Sequence, residues 1–142
     1  MVAAVDLRGI RQALRNRLLT VTGIVPEERI APQNRPFTPP EPPAPWIRET
    51  LLIAGEGRVS TGAVESRGRV QYDVITPQGM GTEFAEDLST AIADSFEAAN
   101  GLSDEGVELV IDRVERGSGR QFDPAWWFVP VNVAWRSFAF VP

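Results

Sequence analysis

The sequence contains no cysteine, no histidine and no lysine, and each absence excludes a kind of chemistry. Without cysteine there are no disulfides and no thiolate metal sites. Without histidine the chain lacks the commonest metal ligand and general base. Without lysine it lacks Schiff-base chemistry and the lysine of a phosphate-binding loop, and nothing remains to activate its serines. The composition therefore predicts a protein that is not an enzyme and has no cofactor, metal or catalytic residue.

Long apolar runs are also absent, because no stretch approaches the ~18 residues of a membrane span. The first ten residues lack a basic segment followed by an apolar run, so we expect no signal peptide and synthesis in the cytoplasm. The length of 142 residues favours a single domain over residues 1–142.

The charges that are present divide unevenly along the chain. Residues 1–70 hold ten arginines and seven acids (+3), whereas residues 71–142 hold four arginines and twelve acids (−8), which sums to the net charge of −5. A bipolar chain suits head-to-tail stacking or docking between two unlike partners. Chance segregation of charge between the two halves gives a similar pattern.

Proline is concentrated rather than scarce, with seven of the twelve prolines in residues 32–45, directly before Trp46. Proline fixes φ and removes a backbone donor, so this segment is neither helix nor central strand. It is predicted to be an extended arm. One interpretation is a semi-rigid linker across the chain's own surface, and the other is an arm that lies on a neighbouring molecule.

Hydrophobic periodicity predicts two helices and four strands around this arm. An amphipathic helix over residues 4–20 is expected to begin at Asp6, and a second helix covers residues 82–99. The strands are predicted at residues 46–54, 69–76, 107–116 and 125–140. The glycine-rich residues 55–62 are predicted to form a turn or flexible loop. Because Pro130 lacks a donor, the last strand is expected at a sheet edge or at a bulge.

These elements predict an α+β fold with two layers. An antiparallel sheet of about four strands packs with two helices and carries the extended proline-rich arm. Within the single domain, the N-terminal helix spans residues 4–20, the arm residues 32–45, and the sheet with the second helix residues 46–140.

Three groups of side chains are candidates for contacts with other molecules. A basic stripe and the aromatic residues of the arm and last strand form the candidate subunit or partner interface: Arg8, Arg11, Arg15, Phe37, Pro39, Pro40, Trp46, Trp126 and Phe128. The polar face of the second helix is a candidate acidic partner face: Glu83, Glu86, Asp87, Asp94 and Glu97. Solvated helix faces and core tryptophans are the simpler interpretations of the same patterns.

Three motifs resemble one known family. They are NRPFTPPEPPAPWIRETL at residues 34–51, GRVQYDVITPQGMGTEFAEDLSTAIADSF at residues 68–96, and WWFVPVNVAWRS at residues 126–137. Their order and spacing are similar to those of small tailed-bacteriophage proteins, the tail terminator or tail-completion family. The resemblance extends from the first helix to residue 137.

The resemblance implies a structural virion protein at the head-proximal end of a phage tail, assembled in the host cytoplasm. Six copies would form a ring that caps the tail tube, stops its polymerisation and presents a surface to a head-completion or connector protein. DNA would pass through the lumen without specific binding, and the acidic face of the second helix is a candidate lining of that lumen. Alternatives that remain are a head–tail connector or neck ring, and a monomeric α+β module that binds a small ligand or peptide.

Overall fold

The chain folds around one sheet of seven strands. The computed structural model describes residues 6–21, 25–41, 43–60, 62–104 and 107–140. The helices are α1 (Leu7–Leu19) and α2 (Glu83–Ala99), and a short 3-10 helix covers Glu27–Arg29. The strands are β1 (Ile30–Ala31), β2 (Trp46–Ser60), β3 (Ala63–Pro77), β4 (Gly101–Asp104), β5 (Val107–Arg116), β6 (Arg120–Phe122) and β7 (Trp126–Phe140). Their order across the sheet is β1-β2-β3-β7-β5-β4, with β6 pairing to β7.

The predicted sheet of about four antiparallel strands is wrong, although the fold is α+β. The sheet is mixed, because β1 runs parallel to β2, and it curls into a half-barrel. The four long predicted strands correspond to β2, β3, β5 and β7, and the additional strands β1, β4 and β6 have two to four residues each. Such short strands cannot show a period-2 pattern, and pairing with a longer neighbour is what makes them strands.

Residues 55–60 of the glycine-rich segment, predicted as a turn or flexible loop, instead continue strand β2 in a long hairpin. Strands β2 and β3 pair from Trp46↔Ile75 to Ser60↔Ala63, with register irregularities at Ile53/Gly55 and Arg58/Ser60. Bulges of this kind accommodate glycine within a strand. The continuous partner strand therefore overrides the weak local strand propensity of the segment.

Strand β7 lies in the middle of the sheet and not at an edge, which corrects the expectation drawn from Pro130. It pairs with β3 along its whole length, and β5 and β6 share its other side. The Pro130 oxygen accepts a hydrogen bond from the Gly117 nitrogen at 2.9 Å. Because N–H and C=O of one residue point the same way in an antiparallel strand, the missing donor faces the break between β5 and β6. Proline is tolerated there because that break needs no ladder bond.

Both helices pack on one face of the sheet and form the main core. The core takes Ile10, Leu14 and Leu18 from α1 and Leu88, Ile92 and Phe96 from α2. In β7 the alternation places Val129, Val131, Val133 and Trp135 on this inner face. Asp6 caps α1 as predicted, since its Oδ1 accepts from the Gly9 nitrogen at 2.9 Å.

A smaller cluster covers the opposite face of the sheet, so the molecule is locally three layers deep. It joins Ala31, Trp46 and Ile75 with the partly buried Phe37, Trp126 and Phe128. Consequently β3 is buried on both faces from Tyr72 to Thr76. The arm supplies the cover, because Phe37 is part of this cluster.

Candidate assembly surfaces

A groove of about 710 Å³ separates α1 from the start of the arm and from β2. Leu7, Leu51 and Ile53 contribute its apolar wall. Its polar wall carries four arginines, namely Arg8, Arg11, Arg15 and Arg35. The basic stripe predicted on α1 therefore does lie on one side of the helix, and Arg35 of the arm joins it. We call this surface the basic groove.

Below the basic groove, a buried carboxylate binds two of these arginines. Arg15 Nε lies 2.9 Å from Glu49 Oε2 and Arg15 Nη2 lies 3.0 Å from Glu49 Oε1. Arg11 Nη1 approaches the same Oε1 at 3.5 Å. The Glu49 side chain is only 1% exposed, so its charge requires these partners. Arg11 and Arg15 are thus not simply a solvated helix face, because they anchor α1 to β2.

Burial and charge around Glu49 shift two pKa values. Desolvation lowers the pKa of Arg15, but the hydrogen bond and attraction to Glu49 outweigh it, and the net pKa is raised. Tyr72, opposite Glu49 in the β2–β3 ladder, is fully buried. Desolvation, with the Glu49 charge as a second cause, raises the pKa of Tyr72 well above its ordinary value.

Gln33 closes the floor of the basic groove at the start of the arm. Its Oε1 accepts from the Leu51 nitrogen at 2.9 Å and from Arg11 Nη2 at 3.2 Å. One side chain therefore satisfies a β2 backbone donor beyond the two-residue pairing with β1 and fixes an arginine beside it. The arm is tied to the sheet where it begins.

The two outer arginines of the basic groove remain available. Within residues 6–21, 25–41, 43–60, 62–104 and 107–140, neither Arg8 nor Arg35 forms an ion pair, and both are exposed. Arg15 has a further, long contact of 4.0 Å to the exposed Glu27. The outer part of the groove therefore carries positive charge that this part of the chain does not neutralise.

The arm crosses the chain's own sheet at its aromatic residues. Phe37 stacks on Trp46 with ring centroids 5.0 Å apart, and Trp46 meets Trp126 edge-on at 5.9 Å. Trp46 is only 5% exposed, whereas Phe37 and Trp126 are half-buried. Three members of the predicted interface thus pack together within one chain.

The other predicted interface residues of the arm and β7 lie near this stack. Pro39 is exposed and Pro40 half-buried. Phe128, also half-buried, has the guanidinium carbons of Arg48 and Arg120 at 6.0 and 5.5 Å from its ring centroid. These aromatic contacts lie within one chain, as the linker interpretation expects, and the partner interpretation stays a prediction.

The acidic residues of α2 lie along one side of the helix, interrupted at Thr90, whose Oγ1 accepts from Arg116 Nη1 at 2.7 Å. Helical spacing places Glu83, Glu86, Asp87, Asp94 and Glu97 within a narrow arc, and all five are exposed. None forms an ion pair with another residue that the structure describes. We call this surface the acidic stripe.

Sequence reasoning missed Glu49, Tyr72 and Gln33. Alternation held the signal for Glu49, because Ile47, Glu49 and Leu51 share the inward face of β2, where a carboxylate needs a partner. Gln33 and Tyr72 carried no comparable signal, since their roles depend on contacts between distant segments.

Metal binding and membrane crossing find no support in the described residues. They contain no group of three or more acids, histidines or cysteines that could hold a metal ion. Among the described helices, none combines the length and apolar character that a membrane crossing requires.

Comparison with known proteins gives one sequence family and several similar folds. No curated protein sequence matches the chain. One solved structure, which carries no functional description, has a TM-score of 0.69 at 21% identity, covering 98% of this chain and 99% of that chain. A chain from the virion of a native gene transfer agent particle has a TM-score of 0.66 at 15% identity, covering 96% of this chain and all of that chain. At these identities the likeness shows the fold alone.

The family model described as phage tail terminator protein matches residues 9–135, which include α2 with its acidic stripe, most of α1, and the basic groove except for Leu7 and Arg8. The match runs through the arm and into the central strand β7, so it covers most of the sheet as well. The resemblance inferred from the three motifs is thereby confirmed. The chain belongs to the phage tail terminator family and is a structural protein of a bacteriophage tail, hence a virion component.

Proposed function

We propose that six copies of this chain form a ring that caps the head-proximal end of the tail tube. The ring stops polymerisation of the tube and presents a surface to the head-completion or connector protein, and DNA passes through its lumen without specific binding. The observation that carries this proposal is the family match over residues 9–135. The protein acts as a structural part without catalysis, assembled in the host cytoplasm.

The charge distribution supports a cyclic assembly. A ring needs heterologous contacts, in which one patch of each copy meets a different patch of the next. The chain offers two such patches of opposite sign, the basic groove and the acidic stripe. Opposite charges on the two sides of a contact favour the correct pairing and discourage wrong ones.

The direct test is the native mass of the purified chain combined with negative-stain images, alone and with tail tubes. Six copies of 15.6 kDa give 93.6 kDa. Six-fold rings of that mass, and tubes that stop growing when the protein is added, are the expected results. Tubes that continue to elongate in the presence of excess protein would contradict the proposal.

A further inference from the structure

We propose that the basic groove of one copy receives the acidic stripe of α2 from a second copy, and that this is the contact that closes the ring. The inference rests on the proposed function and adds the two surfaces that meet. Three properties of the described residues support this contact: their charge, their position on the subunit and the character of the groove walls.

The charges of the two surfaces are complementary. Four arginines line the basic groove, and counting both the buried Glu49 and the distant Glu27 against them leaves two positive charges. The acidic stripe presents five exposed carboxylates without ion-pair partners among the described residues. Each surface therefore carries exposed charge that no ion pair among the described residues neutralises.

The two surfaces lie on different sides of α1, so one copy cannot join them to each other. Arg17 donates through Nη2 and Nε to the Ser95 oxygen of α2 at 2.6 and 3.1 Å. Arg8 precedes Arg17 by nine residues, about two and a half helical turns, and so points the opposite way. Helix α1 thus stands between α2 and the basic groove. Two separate, unlike patches produce the head-to-tail contact that a ring requires.

The walls of the basic groove favour a protein segment over nucleic acid. Leu7 and Ile53 are 43% and 41% exposed there, which provides apolar surface beside the charges. Among the residues that the structure describes, no aromatic side chain lines the groove for base stacking. The net charge of −5 also opposes binding of a DNA backbone. A helix with carboxylates on one stripe fits both parts of the wall.

The experiment uses paired charge reversals in the full chain. The groove variant is Arg8→Glu/Arg35→Glu, which spares Arg11 and Arg15 and so leaves the Glu49 anchor intact. The stripe variant is Asp87→Arg/Asp94→Arg. Matched controls with equal changes of net charge are Arg67→Glu/Arg69→Glu and Glu56→Arg/Glu108→Arg, all at exposed positions. Self-association is measured by native mass spectrometry and light scattering, with circular dichroism to confirm folding.

We expect the groove variant and the stripe variant each to self-associate at least about tenfold more weakly than the wild type, because like charges then face each other. An equimolar mixture of the two should recover association, since unlike surfaces alternate around a ring with an even number of copies. The controls should behave as the wild type. Unchanged association in both variants, or a mixture that stays dissociated, would overturn the contact.

These outcomes are separable from the failure of the proposed function. If wild-type rings cap tubes but the charge reversals do not change self-association, the proposed contact is contradicted and the proposed function is supported. If the variants associate only with each other but the wild-type protein never stops tube growth, the proposed contact is supported and the proposed function is contradicted. Fluorescence anisotropy with a short labelled DNA duplex tests the other occupant. Binding lost in the groove variant while its self-association is unchanged would assign the groove to nucleic acid.

Discussion

The guanidinium of Arg15 on α1 meets the carboxylate of Glu49 on β2 at two points, 2.9 and 3.0 Å apart, across 34 residues of sequence. Because Glu49 is buried and faces the helices, this pair fixes the position of α1 on the sheet. It also fixes one wall of the basic groove, since Arg15 lies on that wall.

Replacing Glu49 with glutamine should destabilise the fold by about 3 kcal/mol, because removing one partner of a buried pair leaves the other charge uncompensated. Denaturant unfolding monitored by circular dichroism measures the loss. Glu56→Gln is the control, since Glu56 lies on the same strand but is exposed. A loss below about 1 kcal/mol in Glu49→Gln would show that the pair does not anchor α1.

Tyr72 should not ionise in the folded protein at the pH where free tyrosine does. Its pKa is raised by desolvation and by Glu49, so the unfolded state loses its proton first. The stabilising contribution is complete below about pH 10 and is lost as the pH rises above that value. Tyr72 is the single tyrosine of the chain, so absorbance near 295 nm reports it alone.

The expected titration is a delayed absorbance rise that coincides with alkaline unfolding. In Tyr72→Phe, stability should decline less steeply above about pH 10. Reversible ionisation near pH 10 with the fold intact would refute the burial-based shift.

Gly68→Ala should cost about 3 kcal/mol, because an added methyl has no room. A Cβ at this position would collide with the Leu52 backbone oxygen and lie 2.7 Å from Trp135 Cζ2. Gly57→Ala is the matched control, since nothing lies within 4 Å of a Cβ there. Thermal unfolding of the two variants checks the difference, and equal midpoints would contradict the close packing of β2, β3 and Trp135.

Different residues of the arm should contribute to folding of the monomer and to assembly of the ring. Phe37→Ala is expected to destabilise the monomer by about 2 kcal/mol, because it removes the stack on Trp46. Pro39→Ser/Pro40→Ser is expected to leave stability within about 0.5 kcal/mol and to weaken ring formation. Parallel measurements of unfolding and native mass test both statements. Normal rings from the proline variant would contradict a contact between the arm and a neighbour, and would support the interpretation of the arm as a linker across its own sheet.

Periodicity was sufficient for the long elements and insufficient for the short ones. Helix α2 was expected at residues 82–99 and lies at Glu83–Ala99, because its apolar face repeats over many turns. Strand β1 has two residues and no pattern of its own, so only its pairing with Ile47 and Arg48 reveals it. The strand through Gly55 and Gly57 depends on β3, which propensity does not include.

For the candidate surfaces, too, features within one element could be predicted from the sequence, and features that join distant segments could not. The stripes on α1 and α2 could be predicted because each lies within one helix, where spacing determines which side chains share a face. The partners of their residues within the chain could not be predicted, because Glu49 lies 34 residues from Arg15 and Gln33 of the arm bonds to Arg11. Contacts between distant segments decide which arginines are anchored and which remain available.

Three strands of this sheet, β2, β3 and β7, have fifteen residues each and pair side by side. At about 3.3 Å per residue, such a strand measures roughly 50 Å along its contour. A compact domain of 142 residues has a radius of gyration of only about 14.5 Å. The strands are therefore long for a subunit of this mass, and they extend the subunit along the strand direction.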